Sequence, residues 1–366
     1  MALALRSPRS LATFSAMVLA NFGAYVLGMA LSGWMVSGFL KVALRIHYGG
    51  FGFIKRGLIG TAAQPLLPDH SYPSLIHAAL VFGFGIGALL SLASGLLLLH
   101  CDRPLQRLLF LVSPATLLQF GYTFSWFDAA LYLIFICQLL LLQQAASSAF
   151  GSTLRSLVIG LLGALALLIH EAYLLAAAPL LIWLCQQRFQ GSFRRWLPLL
   201  PILATAIALI LYGRYEPGPL ELARQLGIPA QDAPLEFTAN VSENLVGTLR
   251  SLWLSGLVRG SLPALAYLAL LSWLALRSPD RPQRSSLAIL LALSPLLLSL
   301  IGFDLPRWCA MAGCNLLLLG LLGQISMRGR PGSPWPGLTC LAALAGPVGV
   351  LGTSFPLTLG ALGRIF

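Results

Sequence analysis

The sequence predicts an all-α integral membrane protein with about eleven transmembrane helices, and three observations predict it. Of 366 residues, 58% are apolar and only 9% charged, against roughly 25% charged in soluble domains. Runs such as 75–99, 197–211, 262–276 and 287–301 hold no formally charged side chain, and about 20 such residues span a ~30 Å hydrocarbon layer as a helix. These leucine-rich runs do not alternate apolar with polar residues, as the strands of a membrane barrel would.

Helices are expected near 11–33, 74–99, 108–124, 129–146, 156–170, 172–186, 197–213, 260–277, 286–302, 308–326 and 336–355, in one polytopic domain covering 1–366. Several form short hairpins broken by polar residues. The first follows Arg6 and Arg9 and is longer than the ~7–15-residue core of a cleaved signal peptide, so it reads as a retained span. With the N-terminus in the cytoplasm, every short inner loop carries Arg. These are Arg103 and Arg107, Arg155, Arg188 with Arg194 and Arg195, Arg277 with Arg281 and Arg284, and Arg328 with Arg330. That bias orients membrane proteins. It also accounts for the net charge of +12, which therefore does not point to nucleic acid. The six cysteines form no CxxC pair and lie mostly in apolar stretches, as small buried hydrophobes do.

Two outer segments, about 34–73 and 214–259, exceed the length of turns. In the first, Lys41, Arg45 and Tyr48 recur at helical spacing, which reads as a short interfacial helix. Glycines at 49, 50, 52, 57 and 60 then surround Lys55 and Arg56. In the second, Val241, Leu245, Leu249 and Leu252 form an amphipathic stripe expected to lie along the outer surface.

Three hairpin turns carry ionisable clusters: Ser125–Asp128, His170–Glu171 and Asp304–Arg307. Charges within membrane segments are costly and mostly face cavities or partners. The topology places all three turns at the outer face. From Arg107 to Asp128 is 21 residues and from Arg284 to Asp304 is 20, a rise of about 30 Å each. Arg155 to Glu171 is only 16, about 24 Å, so Glu171 is expected to sit recessed beneath the other two.

Each residue has a bland reading beside the functional one. Glu171 is either a proton acceptor, with His170 as relay, or one half of a structural ion pair with Arg307. Asp128 is either part of the site or an acid favouring the start of its helix. Asp304 and Arg307 either hold substrate or pair with one another, with Pro306 opening a helix. Lys55 and Arg56, with Arg45 upstream, suit an anionic ligand such as a phosphate, or the headgroups of membrane lipids. Asp69 beside His70 is a candidate base or metal ligand, but two residues are too few for a metal site. No P-loop, Rossmann, HExxH or GxSxG pattern occurs, so no cofactor is implied; a divalent cation is compatible with the site without being required.

The run Phe51–Gly60, then an apical Asp, then His-Glu, then Asp-x-x-Arg-Trp at 304–308, resembles uncharacterised polytopic proteins of bacterial polysaccharide-assembly regions. More loosely it is similar to GT-C-type glycosyltransferases and to EpsG-like and Wzy-like polymerases. The resemblance implies a bacterial inner-membrane enzyme taking sugar from a polyprenyl-(pyro)phosphate donor at the outer face and passing it to a glycan acceptor. In GT-C enzymes an acid in the first outer loop is catalytic, and Asp69 is the acid of that loop here, without the paired acid many members carry. Outer-loop arginines of the polymerases are matched in kind by Arg56 and Arg307. The alternative is a transporter or flippase for a lipid-linked or anionic solute; a third reading is a non-catalytic scaffold.

Overall fold

The computed structural model describes residues 8–67, 71–144, 148–189, 193–229, 257–276, 282–300, 304–325, 348–350 and 353–355. The chain opens with α1 (Pro8–Leu31) and three short helices, α2 (Gly38–Ala43), α3 (Tyr48–Phe51) and α4 (Gly57–Ala63). It continues through α5 (Tyr72–Leu99), α6 (Pro104–Val112), α7 (Leu117–Tyr122), α8 (Asp128–Gln143) and α9 (Ala149–Ile169). Next come α10 (Tyr173–Ala176), α11 (Ala178–Arg188), α12 (Leu199–Tyr212) and α13 (Pro219–Leu226). The last helices are α14 (Leu257–Leu276), α15 (Pro282–Ala292) and α16 (Leu305–Leu321). Among the described residues, four stretches are long and apolar enough to cross a membrane: 10–31, 73–99, 149–169 and 193–212. Shorter apolar helices cover 128–143, 264–276, 286–300 and 305–321. The architecture is that of a multi-pass helical membrane protein.

Three expected helices are broken, and prolines explain where. Pro114 ends α6: it lacks an N–H, and the preceding Ser113 takes extended backbone. The carbonyl this orphans, on Phe110, accepts a hydrogen bond from Thr116 Oγ1 at 2.9 Å. Pro179 separates α10 from α11 in the same way. The freed Leu175 carbonyl accepts from Ser294 Oγ at 2.6 Å, and the adjacent Ala176 carbonyl accepts from Asn315 Nδ2 at 2.8 Å. After α15 the chain tightens into a 3-10 helix over Ser294–Leu300, with Pro295 at its start. Non-helical backbone at membrane depth is tolerated only when protein or water satisfies it, and here side chains do.

Helix α16 is the centre of the bundle, buried along its whole length. A helix apolar all round belongs inside such a bundle. Its one amide, Asn315, also accepts from Tyr132 at 2.9 Å. Between α1 and α7 the backbones touch. A methyl on Gly28 would overlap the Leu118 carbonyl, and one on Gly121 would overlap that of Tyr25. Small residues permit this approach, the usual means of packing helices in lipid.

Two expectations are corrected. Lys41, Arg45 and Tyr48 do not share one helix: α2 stops at Ala43 and α3 starts at Tyr48, with His47 capping it through Nδ1. At the C-terminal end of the helix expected over 336–355, residues 348–350 and 353–355 pair instead as antiparallel strands β1 (Val348–Val350) and β2 (Thr353–Phe355). Val348, Val350 and Thr353 are β-branched, a type favoured in strands. The rest of that helix, and the amphipathic stripe 241–252, lie outside the described residues.

Candidate functional site

The three polar turns meet at one end of the bundle, where two ion pairs stand side by side. The first joins α4 to the end of α9. Arg56 Nε donates to Glu171 Oε2 at 2.8 Å and Arg56 Nη2 donates to Glu171 Oε1, a two-pronged fork. Arg56 holds a left-handed backbone at φ 64°, uncommon for a residue with a Cβ. The Gly57 position lies under the Tyr48 ring and has no room for a methyl. The Arg56 side chain is 9% exposed and that of Glu171 35%, so Glu171 is the more accessible member of this pair.

His170 ends α9 with an extended backbone. Its Nδ1 accepts the Ala172 backbone N–H at 3.1 Å. That nitrogen therefore carries no proton, and its 3.5 Å approach to Glu171 Oε2 is contact between a neutral imidazole and a carboxylate. The geometry does not supply the proton relay through Nδ1 that the His-Glu pair invites from sequence.

The second ion pair joins α16 to α8. Arg307 Nε donates to Asp128 Oδ2 at 2.6 Å, its Nη2 donates to Asp128 Oδ1 and to the Trp126 carbonyl at 3.2 Å, and its Nη1 donates to Asp304 Oδ2 at 3.2 Å. Its guanidinium also lies against the indoles of Trp126 and Trp308, with centroids at 5.2 and 4.5 Å. Arg307 and Asp128 are 3% and 1% exposed. A guanidinium forked onto one acid, touching a second and stacked on two rings is a clamp between helices. The expected substrate-binding part for Arg307 and Asp304, and the base role for Asp128, do not suit this enclosed geometry. The ion pair drawn from sequence between Glu171 and Arg307 is replaced by two others: Glu171 with Arg56, and Arg307 with Asp128 and Asp304.

Phe39 on α2 connects the pairs, and nothing in the sequence singled it out. Arg56 stacks on its ring at 5.0 Å, and the ring stacks in parallel on Trp126 at 5.4 Å, with the His170 ring at 6.0 Å. Ser37, which caps α2, donates to the Ser125 carbonyl at 3.1 Å and fixes α2 against the turn. Cation, ring, ring and cation thus form one stack from Arg56 to Arg307.

Lys55 enters through its backbone, whose N–H donates to the Gly213 carbonyl at 2.8 Å. Arg45 Nη1 donates to the Leu226 carbonyl at 3.1 Å, so the two outer segments are fastened to one another. Asp69 and His70 lie outside the described residues. Among the described residues, no three His, Cys, Asp or Glu side chains come together as metal ligands.

A further polar set lies buried on α1, α5 and α6, where sequence reading found none. Asn21, Ser91, Ser94 and Gln106 are all buried. Ser91 donates to the Gly87 carbonyl, while Asn21 Nδ2, Ser94 Oγ and both Gln106 amide atoms have no hydrogen-bond partner among the described residues. Among these, Asn21 is a single amide in an apolar run, as are Asn315 and Gln138, and that was the available signal. Compared with family models, curated proteins and solved structures, the chain matches none.

Proposed function

We propose that this protein is an inner-membrane glycosyltransferase or polysaccharide polymerase, with its N-terminus in the cytoplasm, about eleven crossings, and the Arg56–Glu171 pair facing outward. The observation that carries the reading is an accessible carboxylate forked onto a buried guanidinium, at a helix break, beside Lys55. Its partners are a polyprenyl-(pyro)phosphate-linked sugar, a glycan acceptor and the surrounding lipids.

In the resting arrangement both Glu171 oxygens accept from Arg56, so the carboxylate is occupied. A donor phosphate, with more charge and a matching fork geometry, draws Arg56 and Lys55 to itself and releases Glu171. The acceptor hydroxyl oxygen then attacks the anomeric carbon while its proton passes to Glu171. The bond from that carbon to the phosphate oxygen breaks, and the charge left on the lipid phosphate is met by the two cations. Products are the glycosidic bond, the lipid phosphate and a proton later shed by Glu171.

The test is sugar transfer by purified protein in detergent, where no gradient exists. Glu171→Gln keeps the acceptor for Arg56 but not the base, and should lower turnover about 10²-fold or more with donor binding retained. Arg56→Lys loses the fork and should weaken donor binding as well. Transfer unchanged in Glu171→Gln removes the mechanism. A transporter is the second reading, and the buried Asn21, Ser94 and Gln106 groups favour it by offering polar surface in the other half of the bundle. It expects solute flux in proteoliposomes and no glycosidic bond from the wild type.

A further inference from the structure

Toward the opposite end of α9 from Glu171, four arginines gather where α8, α9 and α11 meet. Arg155 lies on α9, Arg188 ends α11, and Arg194 and Arg195 belong to a short 3-10 helix over Phe193–Arg195 that packs against both. Side chains fasten this grouping. Ser156 Oγ donates to the Arg194 carbonyl at 2.5 Å, and Arg194 Nε donates to Thr153 Oγ1 at 3.0 Å. Arg155 Nη1 and Arg188 Nη2 donate to one and the same oxygen, the Gln144 carbonyl at the C-terminus of α8, the second at 3.2 Å. The Arg155 guanidinium also lies over the Phe189 ring at 5.7 Å.

Among the described residues, this end lacks a counter-charge. Glu171 is the sole acid between residues 129 and 215, and it is forked onto Arg56 at the far end of α9. No described carboxylate pairs with Arg155, Arg188 or Arg195. The Gln144 carbonyl is a dipole without net charge, so it orients the two guanidiniums and neutralises neither. One cation on that carbonyl is enough to cap α8; a second beside it adds repulsion between like charges. Arg155 Nε is buried and meets no acceptor among the described residues, and an unpaired buried donor is costly. Because Arg155 holds Gln144 through Nη1, its Nε–Nη2 edge is left over, the same edge with which Arg56 and Arg307 fork their acids.

Position selects the class of anion. Two of the stretches long and apolar enough to cross a membrane, 149–169 and 193–212, begin here, which puts the arginines near headgroup depth. Phe150, Phe193 and Trp196 stand exposed around them, as rings do at a lipid–water boundary. We infer that Arg155 and Arg188, with Arg195 on the adjoining turn, bind the phosphate of an anionic lipid headgroup. Paired guanidinium N–H donors suit a phosphate, and basic pockets between membrane helices recognise headgroups in this way. The headgroup relieves the repulsion between the two cations and ties together the ends of α8, α9 and α11. It thereby holds at the membrane surface the helix whose other end carries Glu171. The site does not rest on the transfer reading, since none of its residues takes part in that chemistry.

Free phosphate shares this chemistry, and titration of the full-length protein in a neutral detergent separates the two sources. The probes are short-chain phosphatidylglycerol, short-chain phosphatidylcholine and inorganic phosphate, with binding read by thermophoresis. Phosphatidylglycerol should bind more tightly than either of the others, and more weakly as salt is raised. Arg188→Gln leaves Arg155 on the Gln144 carbonyl, which guards the fold, and should weaken that binding severalfold. The Arg155→Gln, Arg188→Gln double variant should weaken it about tenfold or more. Arg224→Gln, at an exposed ion pair away from the site, should leave it unchanged. Inorganic phosphate bound as tightly as phosphatidylglycerol overturns the lipid assignment. Equal binding of the two lipids, or phosphatidylglycerol affinity unaltered in both Arg188→Gln and the double variant, overturns the site. Sugar transfer enters none of these measurements, so failure here and failure of the glycosyltransferase reading are distinguishable.

Discussion

At the scale of single residues, the two guanidiniums look alike in sequence and differ in what surrounds them. Arg307 is enclosed with Asp128 and Asp304, so removing it leaves two buried acids without their cation. Arg307→Ala is expected to cost about 3–5 kcal/mol, the usual penalty for breaking a buried pair, read as a lowered unfolding midpoint in detergent. Asp304→Asn should be mild by the same assay: it keeps an acceptor 3.2 Å from Nη1 and removes one of two negative charges sharing a single positive one. Glu171→Gln, at a site 35% exposed, should change stability by less than about 1 kcal/mol while lowering turnover about 10²-fold or more. If Arg307→Ala unfolds no sooner than Glu171→Gln, the division into clamp and reactive pair is wrong. Of this partnering only the contact between Asp304 and Arg307, three residues apart, was legible beforehand. Spacing along a chain carries no record of which acid, 115 or 179 residues away, a guanidinium will meet, and Phe39 has no feature that marks it among other phenylalanines.

Elements were legible where hydrophobicity alone decides them and illegible where a carbonyl had to find a new donor. Helices α1, α5, α8 and α12 lie within a few residues of the expected spans, while α9 starts at Ala149, ahead of the expected 156, and takes in Arg155. The interruptions at Ser113–Thr116 and Ala177 were marked only by Pro114 and Pro179, since their stability depends on donors far off in sequence: Ser294 and Asn315 for the second. Asn315→Leu keeps volume but strips the Ala176 and Ala292 carbonyls of their donor. Each unsatisfied buried group costs about 1–3 kcal/mol, so a clear fall in thermal stability is expected; an unchanged midpoint would mean the break holds itself. Gly121→Val is expected to be worse, because the added atoms meet the Tyr25 backbone and not a side chain that can turn aside. Loss of monodisperse protein on size exclusion would report it.

For the whole molecule, the convergence of three turns on one end makes sidedness testable. Met35 is 73% exposed beside that end, and Phe150 is 76% exposed at the start of α9, a helix rising about 30 Å before it reaches His170. Cysteines placed at 35 and 150 should react with an impermeant maleimide from opposite sides of the membrane, position 35 from outside. Of the described cysteines, Cys101, Cys185, Cys309 and Cys314 are buried and Cys137 is half-buried, so the labelling is done with Cys137 and Cys340 replaced by Ser. Labelling of both from one side would exclude the topology on which the enzyme reading depends. The multi-pass helical character was readable from composition, because lipid imposes length and apolarity rules on every span. The fastening of the two outer segments was not, because Arg45 and Leu226 obey no such rule.

The separations across the two ion pairs also impose a timetable on synthesis. Asp128 precedes Arg307 by 179 residues, so at roughly 5–20 residues per second its carboxylate waits about 10–40 s before its cation leaves the ribosome. Arg56 waits about 6–20 s for Glu171, 115 residues on, by the same rate. Through that interval each charge is a liability in a newly inserted hairpin, to be kept at the interface, neutralised by proton or lipid, or shielded by the insertion machinery. Slowing translation between residues 171 and 307 should therefore lower the yield of folded protein, and an Asp128→Asn, Arg307→Gln double variant should be less sensitive to the delay.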